Sequence, residues 1–123
     1  MNKQIVLLFL IFSSLIALAD RGDGEQIFMQ KHVGGGHLEN YPIADMPDAV
    51  YFDSDEMEII IVADGTSLYY NVEIVSDYLN QTVISTQVSG YGDTIDVSSL
   101  SSGLYTIIIT SEFLNEYEGQ FTI

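Results

Sequence analysis

Residues 90–110 read GYGDTIDVSSLSSGLYTIIIT. Ile95 and Val97 alternate with the polar Thr94, Asp96 and Ser98. Ser101, Ser102 and Gly103 then break the pattern. Tyr105, Ile107 and Ile109 resume it, with Thr106 and Thr110 on the other parity. An apolar period of two on both sides of a Ser-Ser-Gly break predicts two antiparallel strands, neighbours joined by a tight turn and sharing one buried face. Buried to this extent, Ile107 should not tolerate a carboxylate, and Ile107→Asp is expected to prevent folding.

The same period extends in both directions. Strands are predicted over Ala49 to Phe52, Met57 to Ala63, Leu68 to Ser76, Gln81 to Val88 and Tyr117 to Ile123, making seven with the central two. Asp53-Ser54-Asp55-Glu56, Asp64-Gly65 and Asp77 to Asn80 supply turns between them. Short strands with turn signals roughly every 8–12 residues, and no helical period, predict an all-β antiparallel β-sandwich of about seven strands over residues 48–123. Alternation is interrupted at Ile59-Ile60-Ile61-Val62 and Ile107-Ile108-Ile109. It places Ile60, Val62 and Ile108 outward, where the apolar Ile27-Phe28-Met29 or a partner chain would cover them, or where they stand uncovered as scattered surface apolar residues do.

Upstream the material changes. Residues 20–47 hold both prolines, Pro42 and Pro47, and the run Gly34-Gly35-Gly36. They read as an extended polar, glycine-rich arm, with Gln26 to Gln30 adding one edge strand. Residues 1–19 differ again: a short basic start at Lys3, an apolar run from Ile5 to Ile16, and Ala17-Leu18-Ala19 as a small-x-small cleavage site. That is the pattern of a secretory signal peptide cut after Ala19. The run is short of the roughly 20 residues that a spanning helix needs, and no cysteine follows to take a lipid. The expected location is periplasmic or secreted.

Cleavage would leave a chain of 104 residues carrying all 18 carboxylates against Arg21 and Lys31, a net charge of −16. Such a surface repels phosphate backbones and anionic membranes, which argues against nucleic-acid binding. With no cysteine anywhere, stability has to come from packing.

The residues from Met46 to Ile123 carry a further pattern. Ile95, Val97, Leu100, Gly103, Tyr105, Ile107 and Ile109, then Gly119, Phe121 and Ile123, form an apolar-x-apolar, Leu-x-x-Gly-x-Tyr-x-Ile-x-Ile and Gly-x-Phe-x-Ile series. This resembles the small secreted Bacteroidetes proteins of the domain of unknown function 3244 family. The resemblance implies an immunoglobulin-like sandwich outside the cytoplasm. It implies no activity and carries over no functional residue. The Leu-x-x-Gly-x-Tyr part also resembles the sorting domains of type IX secretion. Those close on a basic residue, whereas this chain ends Glu118-Gly119-Gln120-Phe121-Thr122-Ile123.

Sites for chemistry are sparse. The histidines, His32 and His37, flank three glycines and lack a helical metal spacing. No cysteine nucleophile exists, and a serine would need one of those histidines as its base. Asp53-Ser54-Asp55-Glu56 and the acids between Asp20 and Glu25 bring carboxylates close without matching an EF-hand loop, and read as turns. Arg21-Gly22-Asp23 matches the integrin tripeptide, Asn80-Gln81-Thr82 a glycan acceptor, and Thr94, in Asp93-Thr94-Ile95, an O-glycosylation site. Tyr69, Tyr78, Tyr91 and Tyr117 are candidates for exposed contacts with a protein or a glycan. The sequence therefore predicts no catalytic, metal or cofactor-binding residues and no cofactor. It predicts a secreted, non-enzymatic binding or adhesion module of unknown ligand. The alternative is a structural accessory acting by self-association or within an envelope assembly.

Overall fold

The computed structural model describes residues 24–33, 37–39 and 45–123. The predicted signal peptide, its cleavage site, Arg21-Gly22-Asp23 and Gly34 to Gly36 lie outside them. Among the described residues, ten strands, all antiparallel to their partners, form two packed sheets: β1 (Gly24–Gln26), β2 (Gln30–Val33), β3 (His37–Glu39), β4 (Ala49–Asp53), β5 (Glu58–Val62), β6 (Tyr69–Ser76), β7 (Gln81–Ser89), β8 (Gly92–Asp96), β9 (Leu104–Ser111) and β10 (Glu116–Thr122). One sheet has the order β1-β4-β5-β8 and the other β3-β2-β10-β9-β6-β7. β4 to β10 are the seven strands expected from the period of two. No helix interrupts the described residues.

The two central strands are not neighbours. β8 pairs with β5, while β9 lies between β6 and β10 in the opposite sheet. Ile95, Val97, Tyr105, Ile107 and Ile109 do share one core, but they enter it from facing sheets. Alternation fixes which side chains point inward and says nothing about which strand lies alongside. The connection is also longer than a hairpin turn. Val97 N–H donates to Met57 O at 3.0 Å, and Leu100 N–H donates to Val97 O at 3.0 Å. The Tyr105 hydroxyl then donates to Ser101 O at 2.6 Å. Tyrosine at the start of a strand, bonded to the backbone just upstream, is the tyrosine corner that carries a chain between sandwich sheets. The Leu100-x-x-Gly103-x-Tyr105 series encodes this corner.

Aromatic rings bridge the layers behind it. Phe121 of β10 stacks on Tyr105 at 5.6 Å between ring centres and meets Phe52 of β4 at 5.4 Å.

The arm does more than add one strand. Gly24–Gln26 extends the first sheet by pairing with β4, and Gln30–Val33 extends the second by pairing with β10. Residues 27–29 cross between them. Ile27 N–H donates to Val50 O at 2.8 Å, and the Ile27 side chain is buried in the core. The crossing passes over Gly119, where a Cβ would come within 2.7 Å of Ile27 Cγ2 and 2.8 Å of Phe28 O. Ile27 thus fills the core and does not cover the outward residues. Of those, Ile60 is buried on the outer side of its sheet, in register between Tyr51 and Thr94. Val62 and Ile108 are half-buried.

Candidate functional site

Three loops meet at one end of the sandwich: residues 63–68 between β5 and β6, residues 90–91 between β7 and β8, and residues 112–115 between β9 and β10. They are bonded to one another. Gly65 N–H donates to Gly90 O at 2.8 Å, and Gly90 N–H donates to Leu68 O at 2.9 Å. Leu68 N–H donates to Glu112 Oε2 at 2.8 Å, and Glu112 N–H donates to the buried Ser67 Oγ at 2.9 Å. Gly90 permits the closeness, since a Cβ there would lie 1.7 Å from Ser67 O.

Beneath the 112–115 loop lies a buried carboxylate. Asp45, 5% exposed, accepts from Ser111 Oγ at 2.6 Å and Asn115 Nδ2 at 2.8 Å through Oδ2, and from the Tyr117 hydroxyl through Oδ1. Its backbone carbonyl accepts from the Tyr70 hydroxyl at 2.9 Å. Burial raises its carboxyl pKa, but the three side-chain hydrogen bonds outweigh it and hold the group below its ordinary value. Burial, then the charge of Asp45, pushes Tyr70 up to about 12. Burial and the bond to Asp45 push Tyr117 above the usual phenol range. The carboxylate therefore stays ionised and the phenols stay neutral at physiological pH. Ser111 Oγ, while donating to Asp45, also accepts from Phe113 N–H at 3.2 Å and Asn115 N–H at 3.3 Å. The loop is held from below.

On this support stand apolar side chains in water. Phe113 is 60% exposed and Leu114 81%, with Leu68 and Tyr91 exposed on the adjoining loops. Leu114 has φ +67°, a left-handed conformation that costs a non-glycine residue roughly 1–2 kcal/mol.

At the other end, the β6–β7 turn and the β8–β9 corner enclose a groove of about 590 Å³, lined by Ser76, Tyr78, Leu79, Ser102 and Leu104 among others. Tyr78 is exposed at its rim.

The residues singled out from sequence are scattered. Asp53 Oδ1 accepts from Asp55 N–H at 2.9 Å and Glu56 N–H at 3.2 Å, the turn chemistry read from the sequence. Among the described residues, no group of three or more histidines and carboxylates is arranged to hold a metal. His32 and His37 fall one rung apart on β2 and β3, with His32 opposite Leu38 and His37 opposite Val33. Asn80 is exposed in the β6–β7 turn, with φ +55°. Thr94 is exposed on β8. Tyr69, Tyr78 and Tyr91 are exposed, but Tyr117 is not: it is buried against Asp45. It shares the inward parity of Gly119 and Phe121, which was the signal available for it. Asp45 carried no such signal. It sits where no period runs, and its partners are 66 to 72 residues away.

A solved structure from Bacteroides vulgatus, a DUF3244 family protein with an immunoglobulin-like β-sandwich, superposes with a TM-score of 0.63. The match covers 81% of this chain and 98% of that one. The chain shares that fold. At 13% identity, the likeness speaks to architecture alone. No family model matches the sequence, and no curated protein does either.

Proposed function

We propose that the protein is a non-enzymatic binding or adhesion module that works outside the cytoplasm, in the periplasm or beyond, after cleavage behind Ala19. It takes a protein or glycan partner through the β5–β6, β7–β8 and β9–β10 loops. One observation carries the reading. Phe113 and Leu114 stand exposed on a loop fixed by Ser111 and Asp45, and Leu114 occupies a left-handed backbone position that glycine or asparagine fills at less cost. Rigid loops at one end of a sandwich are where this architecture commonly carries recognition. An anchor of exposed apolar side chains with carboxylates nearby suits a partner surface that is apolar at its centre and neutral or basic at its rim.

The test compares the unaltered chain with Phe113→Ala and Leu114→Asn, on a glycan array and in capture from the bacterial envelope. Binding that is lost in both variants, with unchanged melting cooperativity, supports the reading. Binding that both variants retain removes it. Intact mass of the exported protein checks cleavage after Ala19, and a mass equal to bare residues 20–123 excludes a glycan on Thr94.

A further inference from the structure

Among the described residues, four strands present an open side: β1 and β8 in one sheet, β3 and β7 in the other. Three carry carboxylates: Glu25 on β1, Glu39 on β3, and Asp93 and Asp96 on β8. β7, Gln81–Ser89, carries no charge, and at nine residues it is the longest described strand. It has no proline or lysine, the usual protections of an edge. Its one irregularity is Val83, which has no partner in the register with β6.

The ladder shows which backbone groups are open. Gly90 N–H donates to Leu68 O, so Val88 also turns its groups toward β6, and Ser85, Gln87 and Ser89 turn theirs away. Ser89 N–H donates to Asp93 Oδ2 at 3.5 Å. The outward backbone groups of Ser85 and Gln87 meet no strand among the described residues.

Charge selects the partner. A basic segment would be drawn to the edges that carry carboxylates. An uncharged edge in a chain of net charge −15 fits a partner that is itself acidic, because any other edge would set like charges opposite one another. A strand also pairs with its own copy antiparallel about a two-fold axis, self-complementary by symmetry. We propose that β7 pairs with β7 of a second copy, centred on Thr86, joining two six-stranded sheets into one. Ser85 and Gln87 of each copy then exchange backbone hydrogen bonds with Gln87 and Ser85 of the other. The two Thr86 side chains face each other across the axis, a favourable cross-strand pair. The joint uses neither Phe113 nor Leu114, so it stands independently of the end-loop reading.

The chain has no cysteine, so Thr86→Cys introduces a single thiol. At the axis the two residues form a non-hydrogen-bonded pair, in which the Cβ atoms lie at the near end of the cross-strand range, about 4.5 Å apart, at the upper limit of disulfide geometry. The experiment uses the chain with its N-terminal processing left to the exporting host. Mild oxidation is expected to convert Thr86→Cys largely to a covalent dimer, while Thr94→Cys on β8 stays monomeric. Sedimentation velocity of the unaltered chain is expected to show a reversible dimer that gains population as salt screens the remaining carboxylates. Ser85→Pro removes an N–H that the monomer does not use, and should melt like the parent while sedimenting as a monomer. If proline disturbs the strand, Gln87→Asp, on the exposed face, gives the same loss. A chain that stays monomeric at all concentrations and salts, with Thr86→Cys no faster to cross-link than Thr94→Cys, overturns the proposal. A dimer that survives both Ser85→Pro and Gln87→Asp also overturns it.

Discussion

The Tyr105 hydroxyl donates to the Ser101 carbonyl at 2.6 Å and so pins the corner at which the chain leaves one sheet for the other. The ring of the same residue stacks on Phe121. Tyr105→Phe should separate the two contributions. It keeps the ring contact and frees a carbonyl on an exposed residue that water can reach. The expected loss is about 0.5–1.5 kcal/mol, read as a lower urea midpoint at unchanged slope. Tyr105→Ala removes both and should cost about 3–5 kcal/mol. Equal losses in the two variants would assign the whole effect to the hydroxyl.

Asp45 should make the fold acid-sensitive. Its folded carboxyl pKa lies below the ordinary value of 3.8. The stability it contributes is thus fully present above the unfolded pKa and is lost as pH falls through the folded one. Asp45→Asn keeps the shape but puts an NH2 group, which cannot accept, in place of one oxygen, so that at least one of the bonds from Ser111, Asn115 and Tyr117 is lost, with an expected cost of about 1–3 kcal/mol at neutral pH. Melting followed from pH 7 downward should show parent and variant converging as the parent's carboxylate is protonated.

Glu58 should act with the opposite sign. It stands in register between Asp53 and Asp96. Burial, then the charges of Asp53, Glu56 and Asp96, raise its carboxyl above the ordinary value of 4.5. The folded state therefore holds this proton more tightly than the unfolded chain, and stability falls as pH rises from about the unfolded pKa through the folded one. Glu58→Gln is expected to stabilise at pH 7 by roughly 0.2–1 kcal/mol, the scale of one like-charged cross-strand pair. The gain should vanish below the unfolded pKa. A gain that persists there would point to packing instead of charge.

The arm depends on the absence of a side chain at Gly119. Gly119→Ala sets a Cβ 2.8 Å from the Phe28 carbonyl, and backbone cannot step aside as a flexible side chain can. The arm should lift, exposing Ile27 and loosening β1 and β2, at a cost of about 1–3 kcal/mol. Limited proteolysis would then cut within residues 24–33 while the 48–123 sandwich resists. An unchanged digestion pattern would mean that the crossing tolerates the methyl.

Strand positions were legible because burial on one face writes a period of two into Ile95, Val97, Tyr105, Ile107 and Ile109. The pairing of β8 and β9 was not, because the same period arises whether two strands lie side by side or face each other across a core. The arm was illegible for a related reason. Gly24–Gln26 and Gln30–Val33 are too short to show alternation, and between them only Ile27 is fully buried, with Met29 packed against the core at its edge. Asp45 is a further case: a buried carboxylate is recognised by what surrounds it, and Ser111, Asn115 and Tyr117 lie far along the chain. Phe113 and Leu114 carry no signal of their own in the sequence: two apolar residues between strands gain meaning only from their exposure and from the φ of Leu114.

That φ gives a prediction in which stability and recognition separate. Leu114 at +67° is a branched side chain held where asparagine is common and leucine is not. Its N–H donates to Ser111 O at 2.9 Å, and the backbone arrangement does not depend on the exposed side chain. Leu114→Asn should therefore raise stability by about 0.5–1 kcal/mol, relieving part of the left-handed cost. Raised stability with lost capture of the partner is the signature of a residue kept for contact at the expense of the fold. Lower stability in Leu114→Asn would show that leucine is there to pack, and the end-loop surface would lose its principal support.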